Sequence, residues 1–157
     1  MALRQSVQIA QRLPTISADG YEPILIFGDY VTTATLIATD VVEMCVLPGG
    51  YVPLTVKLTT DDMDANGVPT ITIDAGIVSG VPGVLDNART CGVEAFAASP
   101  VGQAGGIALD TNAALSLLAP SLVDRSIGIR IVTGAATLTV GARVRMTVTA
   151  RPQLNGA

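Results

Sequence analysis

Apolar and polar residues alternate with a period of two over several stretches of this 157-residue chain. In Val52–Thr59 every even position is apolar, whereas Thr55, Lys57 and Thr59 occupy odd positions. Successive side chains of a β-strand point to opposite faces, so this alternation predicts strands with one face on a core and the other outward. The remaining predicted strands are Pro23–Phe27, Asp40–Leu47, Thr70–Val78, Ile127–Val132, Ala136–Val140 and Arg143–Arg151.

Turn residues separate the predicted strands. Glycine, proline and asparagine cluster at residues 48–50, 66–69 and 80–83, where they favour tight turns. Several strands separated by such turns are typical of an all-β sandwich or barrel.

Two alanine-rich segments interrupt the strand pattern. Arg89–Ala98 and Asn112–Ala119 are predicted as short helices or irregular excursions. The first twenty residues predict an extended arm. Because neither an internal repeat nor a linker between two cores is visible, we predict one domain over residues 1–157, with residues 1–20 as its N-terminal arm.

The composition excludes several classes of protein. Although 49% of the residues are hydrophobic and the mean hydropathy is +0.53, no stretch approaches the roughly 18 consecutive apolar residues of a membrane helix. Histidine is absent, which excludes a Ser-His-Asp triad and histidine-ligated metals. A net charge of −4 argues against sequence-independent binding to nucleic acid. We therefore expect no enzyme, no cofactor, no membrane and no direct nucleic-acid partner.

The chain has two cysteines, Cys45 and Cys91, which lack the CxxC spacing of a redox or metal motif. Cys45 lies in the apolar run Val41–Leu47, where a buried reduced thiol is the commonest outcome, and a disulfide between the two cysteines is the alternative. The N-terminal residues lack the continuous apolar region of a secretory signal. These features predict a chain made and kept in a reducing cytoplasm.

The sharpest local motif is the acidic segment Asp61–Gly67. Asp62, Asp64 and Asn66 match the opening of a calcium-binding loop, in which alternating oxygens converge on one ion. The twelfth position of such a loop should be a glutamate but is Ile73 here, and the flanking segments are predicted strands rather than helices. We favour a solvated hairpin loop without a metal and keep an incomplete calcium site as the alternative.

Three arginines, Arg143, Arg145 and Arg151, alternate with apolar residues and form a basic outward stripe on one predicted strand. The stripe has no interleaved aromatic side chains, on which bases stack in sites for single-stranded nucleic acid. In an acidic protein it therefore favours an exposed face or a protein interface.

The segment Val46–Gly80 resembles a pattern found in head decoration (cement) proteins of tailed bacteriophages. The pattern consists of an L-P-x-G turn, an amphipathic strand, a D-D-x-D-x-N-G hairpin loop and a T-x-x-x-D-x-G-I strand. These elements correspond here to Leu47–Gly50, Val52–Thr59, Asp61–Gly67 and Thr70–Ile77. The C-terminal strands are similar in a looser way.

The resemblance implies a jelly-roll-like β-sandwich that acts as a structural protein of the virion. Such a protein is assembled in the host cytoplasm, lies on the capsid exterior as a homo-oligomer, and bridges subunits of the major capsid protein. The family has no catalytic site to carry over. Together with the segments above, the expected fold is an all-β antiparallel sandwich or jelly roll with one or two short helices and the N-terminal arm, assembled as a dimer or trimer.

Seven residues are candidate contacts with the capsid or with other copies of the chain: Val7, Ile9 and Leu13 in the arm, Phe96, Arg143, Arg145 and Arg151. The alternative for the arm is a frayed terminus. Apolar residues beyond the needs of the core, including Val78, Val132 and the 89–119 stretch, are expected in subunit contacts rather than in water. The alternative function is a jelly-roll module that binds carbohydrate or a host surface component, with calcium at the acidic loop.

Overall fold

The computed structural model describes residues 3–5, 23–115 and 117–152. Within these ranges the chain forms nine strands and one short 3-10 turn, Val101–Gln103, and no α-helix. The strands are β1 (Leu3–Gln5), β2 (Ile24–Val31), β3 (Val41–Leu47), β4 (Tyr51–Thr60), β5 (Thr72–Val78), β6 (Phe96–Ser99), β7 (Gly106–Leu109), β8 (Arg125–Thr133) and β9 (Arg143–Pro152).

The described strands form two sheets. The five-stranded sheet has the order β1-β3-β8-β5-β6, and the four-stranded sheet has the order β2-β9-β4-β7. Leaving β1 aside, β2 pairs with β9, β3 with β8, β4 with β7 and β5 with β6, all antiparallel. The first strand thus pairs with the last and the two middle strands pair with each other. This nested pairing, shared between two sheets, is the winding of a jelly roll, and it confirms the predicted all-β sandwich.

The core is built from the inward positions of the alternating strands. Burying one such side chain contributes about 1.5–3 kcal/mol, so the alternation supplies most of the favourable free energy of folding. The period-two pattern predicted for β8 and β9 is confirmed, because their alternate apolar residues all belong to one buried cluster: Ile127, Ile129, Ile131, Val144, Met146 and Val148.

The prediction of a strand at Ala136–Val140 is wrong. In this loop Leu138 makes an isolated bridge to Asp64. The backbone N–H groups of Ala136 and Thr137 donate to the carboxylate of Asp64, at 2.9 and 2.8 Å. Because a side chain accepts these hydrogen bonds, the two groups are not free to pair with a neighbouring strand.

Arg89–Ala98 and Asn112–Ala119 were predicted as short helices or irregular excursions, and the helical alternative is wrong for the described residues of both. In the first segment the N–H groups of Gly92 and Ala95 donate to carbonyl groups of β5, at 2.9 and 3.0 Å, and the segment ends in β6. The described residues of the second segment form turns. Isolated short helices are only marginally stable in water, so pairing with an existing strand prevails.

Residues 3–5 of the predicted arm form β1, which extends the edge of the five-stranded sheet parallel to β3. The Arg4 guanidinium donates to the buried Asp40 carboxylate at 3.0 Å, and the Gln5 side chain donates to Glu43 at 3.1 Å. This edge strand is therefore attached by polar contacts as well as by backbone pairing.

Three candidate contact residues, Val7, Ile9 and Leu13, lie outside the described residues, so their role stays a prediction. The assignment of residues 1–157 to one domain stays a prediction for the same reason. No helix in the described part of the chain is long and apolar enough to cross a membrane.

Candidate assembly surface

The two sheets differ in what covers their outer faces. In the five-stranded sheet, β3, β5 and β8 are buried over most of their length on both sides. Residues 79–95 lie over the outer side, where Val41, Val78 and Cys91 form a small buried cluster. We call residues 79–95 the covering segment. It leaves this sheet with little free surface for a partner.

Arg89 anchors the covering segment. Its guanidinium donates to the Glu43 carboxylate of β3 at 3.0 Å, and the side chains are 2% and 0% exposed. The same guanidinium donates to the carbonyl groups of Ser79 and Val84. One side chain thus closes the loop on itself and attaches it to the sheet.

Glu43 is the acceptor at the centre of this contact. Besides Arg89, the Ser126 hydroxyl and the backbone N–H of Gly83 donate to its carboxylate. Burial alone would raise the pKa of Glu43, but the hydrogen bonds, chiefly from Arg89 and Ser126, hold it below its ordinary value. The buried carboxylate is therefore charged at neutral pH.

Close backbone packing also fixes the covering segment. A Cβ atom added to Gly76 of β5 would lie 2.1 Å from Oε2 of Glu94 and 2.6 Å from the carbonyl carbon of Gly92. The same Glu94 carboxylate accepts a hydrogen bond from the N–H of Ile77 at 2.9 Å. Only glycine leaves room for this approach, so any larger side chain at 76 would push the segment away.

The four-stranded sheet, in contrast, has exposed residues along its outer face. Its strands β2 and β9 alternate between buried and more exposed positions. The pairing aligns outward residues in rows across the sheet, and one row contains Phe27, Thr147, Lys57 and Leu109. We call the surface formed by the outward residues of β2, β9, β4 and β7 the open face.

Apolar side chains form strips along both edges of the open face. Five of the six exposed ones lie on β2 and β7, which are the outer strands of the sheet. Phe27 is 45% exposed and Leu109 is 58% exposed. Exposed apolar surface of this kind marks interaction sites in soluble proteins. The six residues are Leu25, Phe27, Val31, Leu54, Ile107 and Leu109.

Four cations lie between the two strips: Lys57 on β4 and Arg143, Arg145 and Arg151 on β9. The three arginines are exposed, as the alternation of β9 predicts. Their role as contacts stays a prediction.

Two of these cations are paired within the face. Arg143 donates to Asp61 at 3.2 Å, and Arg145 donates to Asp29 at 2.6 and 3.0 Å. The backbone N–H of Arg143, followed by its side chain, holds the pKa of Asp61 below its ordinary value. Lys57 and Arg151 have no carboxylate partner among the described residues. The open face is therefore positive on a chain whose net charge is −4.

Phe96 and Val78 are already buried by other residues of the same chain. Phe96 is buried in the main core, and Val78 lies with Val41 and Cys91 beneath the covering segment. The expectation that these two residues form subunit contacts is wrong, because the chain itself already covers both side chains. Val132 is exposed on β8, so its contact stays a prediction.

Two loops also expose apolar side chains, of which the sequence reasoning had included only Leu117, as part of the 89–119 stretch. Val81 and Leu117 are examples, and both lie in turn-rich segments where no strand alternation exists to bury them. The sequence does contain one signal for the exposure of Val81, which is its position between Gly80 and Pro82 in a turn. The exposed residues of these loops are Val81, Val84, Leu85, Leu117, Leu122 and Val123.

In the acidic loop, the Asp64 carboxylate is an acceptor for backbone N–H groups. It is 1% exposed and accepts from Thr70, Ile71, Ala136 and Thr137, at 2.7, 3.3, 2.9 and 2.8 Å. Burial alone would raise the pKa of Asp64, but these four hydrogen bonds hold it far below its ordinary value. Asp64 therefore ties the β4–β5 loop to the β8–β9 loop.

The other two candidate calcium ligands have structural roles as well. Asp62 accepts from the N–H of Asp64 at 2.9 Å, and Asn66 accepts from the N–H of Val68 at 2.9 Å. Both oxygens of Asp64 face N–H hydrogens, whose partial positive charge repels a cation. No cluster of three metal-ligating side chains occurs among the residues that the structure describes. The loop is not the solvated hairpin that we favoured from the sequence, because β4 and β5 belong to different sheets and Asp64 is buried. It connects the two sheets, and its polar side chains satisfy backbone N–H groups, as that prediction expected.

Neither cysteine is in a position to react as a thiolate or to form a disulfide. Cys45 and Cys91 are buried and free. Burial raises the pKa of each thiol to about 12, so almost no reactive thiolate is present at neutral pH. Cys45 lies in the main core, whereas Cys91 lies on the outer side of the five-stranded sheet. The disulfide alternative is not realised.

Among solved structures, the chain is similar to a chain of the capsid of Ralstonia phage GP4, with 36% sequence identity and a TM-score of 0.91. That match covers 99% of this chain and 100% of the other. The chain is also similar to one in the cyanophage Pam1 capsid asymmetric unit, with 28% identity, a TM-score of 0.65, and coverage of 90% and 95%. No protein-family model and no curated protein matches the sequence.

Fold and sequence identity together define a capsid-associated structural protein of a bacteriophage. More narrowly, the chain belongs to the family of the matched chain in the Ralstonia phage GP4 capsid, because 36% identity extends over the full length of both. The resemblance to phage head proteins seen in the sequence is thereby confirmed.

Proposed function

We propose that this protein binds the outer surface of a phage capsid as a homo-oligomer and stabilises the shell by bridging neighbouring subunits of the major capsid protein. The observation that carries the proposal is the full-length similarity to a chain of the Ralstonia phage GP4 capsid. The protein acts in the virion without enzymatic activity, on the exterior of the shell, after assembly in the host cytoplasm.

Rigidity supports this function. The Glu43–Arg89 pair attaches the covering segment to the five-stranded sheet. Asp64 attaches two further loops to each other. A rigid body loses little conformational entropy on binding, so more of its contact energy appears as affinity.

Exposed apolar surface also supports this function. The open face and the two apolar loops present side chains that an isolated chain leaves in water, among them Phe27 and Leu117. A homo-oligomer on a symmetric shell makes the same contact many times. Modest affinity per contact is then multiplied by the other contacts of the same oligomer.

The test is binding to capsid shells that lack this protein. Purified protein is mixed with the shells, the shells are pelleted, and the bound fraction is measured together with the melting temperature of the shell. We expect saturable binding at micromolar concentration, a fixed ratio to the major capsid protein and a higher shell melting temperature. Protein that stays in the supernatant, or that binds without stabilising the shell, would contradict the proposal.

The size of the free protein is the second test. Sedimentation equilibrium should give a mass of two or three chains, each of 16.0 kDa. A monomer across the micromolar range would contradict the homo-oligomer, while leaving open whether single chains bind the shell.

A further inference from the structure

The outer faces of the two sheets differ, because a segment of the chain covers one and the other is exposed. The covering segment lies on the five-stranded sheet, held by Arg89 and by the close approach at Gly76. The open face has no such cover among the described residues. The covering segment exposes Val81, Val84 and Leu85 but no cation, whereas the open face combines exposed apolar side chains with cations, as a site for a charged partner would.

Charge indicates the chemistry of that partner. The two central strands of the open face carry Lys57 and Arg151, which have no carboxylate partner in the described part of the chain, besides two arginines that are paired with aspartates. An acidic surface would complement this stripe, and complementary charge gives an interface its register and its rate of association. The apolar strips on β2 and β7 require apolar groups on either side of the acidic ones.

The size of the open face suits a protein partner. Three strands of eight to ten residues and one of four, spaced about 4.8 Å apart, cover on the order of 500 Å². Each partner in a standard protein interface contributes about 800 Å². The open face alone therefore supplies more than half of one such interface.

A second copy of the same face does not fit. In a two-fold contact a surface meets itself, so a central stripe is placed against its own image. Here that arrangement would oppose the cations of β9 to the cations of β9, which is unfavourable. The occupant of the open face is thus a different surface.

We infer that the open face is the side that docks on the capsid shell, and that the shell presents there an acidic protein surface flanked by apolar side chains. This inference rests on the proposed function and adds to it the docking side and the chemistry of the partner.

The test compares variants that make the same chemical change in two places. Phe27→Glu and Leu109→Glu each replace an exposed apolar residue of the open face. Val68→Glu and Val140→Glu are the matched controls, on loop residues that are 76% and 62% exposed. Each variant is first checked for an unchanged circular dichroism melt, and then for binding to emptied shells and for oligomer mass.

We expect the two open-face variants to bind shells at least about tenfold more weakly, because each places a carboxylate against apolar and acidic groups of the partner, where it is buried without a counter-charge. The two controls should bind like the wild type. Lys57→Gln removes the positive charge and keeps a polar side chain. It should also weaken binding and make binding less dependent on salt concentration, because one ionic contact is lost.

The outcomes separate the inference from the proposed function. If the wild type binds shells, and the open-face variants bind equally well while the loop controls do not, the docking side is wrong and the function stands. Open-face variants that bind shells normally but lose oligomer mass would also overturn the inference, by making the face a contact between copies. If the wild type shifts DNA in a gel and Lys57→Gln does not, the partner of the open face is a nucleic acid, and the inference of an acidic protein surface is wrong. A wild type that ignores the shells would remove the proposed function and the inference together.

Discussion

The Arg89 guanidinium lies 3.0 Å from the Glu43 carboxylate, and both side chains are buried. The two residues are 46 positions apart in the sequence, one in a loop and the other in a strand. Their contact holds the covering segment on the five-stranded sheet, together with the close packing at Gly76 and the backbone hydrogen bonds to β5.

Loss of the Arg89 side chain should destabilise the protein strongly. Removing one partner of a buried ion pair leaves an uncompensated charge and commonly costs 3–5 kcal/mol, so we expect Arg89→Met to lower the free energy of unfolding by about 3 kcal/mol or more. Urea unfolding followed by circular dichroism measures it. The control is Arg145→Met, whose partner Asp29 is partly exposed, with an expected loss below about 1 kcal/mol. Equal losses in the two variants would contradict the anchoring role of Arg89.

Substitution of Asp64 should loosen two loops at once. An asparagine at this position offers one acceptor oxygen and places an NH₂ group against backbone N–H donors, so we expect Asp64→Asn to melt several degrees lower than the wild type. Asp62→Asn is the matched control, because the Asp62 side chain accepts a hydrogen bond from one backbone N–H, that of Asp64. If the melting temperature drops equally in both variants, the four hydrogen bonds to Asp64 stabilise the protein no more than the single one to Asp62.

Lowering the pH should show how much the Asp64 carboxylate contributes to the stability of the folded protein. Burial alone would raise its pKa, but the four N–H donors hold the pKa in the folded protein far below the ordinary value of 3.8. The unfolded chain therefore takes up this proton at higher pH than the folded protein, so the stabilisation is complete above about pH 5 and is lost as the pH falls through the folded value. Melting temperatures between about pH 6 and pH 2 should fall less steeply in Asp64→Asn than in the wild type. Parallel curves would show that another carboxylate dominates.

Calcium should leave the protein unchanged. The oxygens of Asp62, Asp64 and Asn66 already accept backbone hydrogen bonds, so a cation would have to displace them. We expect the melting temperature with about 1 mM calcium to equal that with a chelator, since a ligand that does not bind the folded state cannot stabilise it. A rise of several degrees that disappears in Asp62→Ala would restore the calcium-dependent binding module as a function.

The two thiols should report the unfolding of separate regions. Because burial raises the pKa of both Cys45 and Cys91 to about 12, neither should react with a thiol reagent in the native protein at neutral pH. In Arg89→Met, the loosened covering segment should expose Cys91 first, while Cys45 in the core stays protected. Mass spectrometry of the labelled peptides distinguishes the two. Labelling of Cys45 before Cys91 would contradict this order.

The sequence predicted those strands in which one face is apolar and the other polar. In β9, Val144, Met146 and Val148 alternate with arginine and threonine, so period and burial agree. At Ala136–Val140 the same reasoning failed, because the local pattern does not show that a distant carboxylate, Asp64, accepts the N–H groups of this loop.

The open face was only half predicted, for a related reason. The arginines of β9 stood out as an outward stripe, whereas Leu25 and Phe27 did not, since β2 is apolar on both faces over its first residues. An exposed strip that awaits a partner has the same composition as a core strand. Phe96 shows the converse, because its burial depends on how residues 89–98 pair with β5.

The most direct measurement is an electron cryomicroscopy reconstruction of capsid shells saturated with the purified protein. We expect jelly-roll density on the outer surface of the shell, each oligomer touching at least two major capsid subunits, with the open face against acidic residues of the shell. Density inside the shell, or a shell identical to one without added protein, would contradict this expectation.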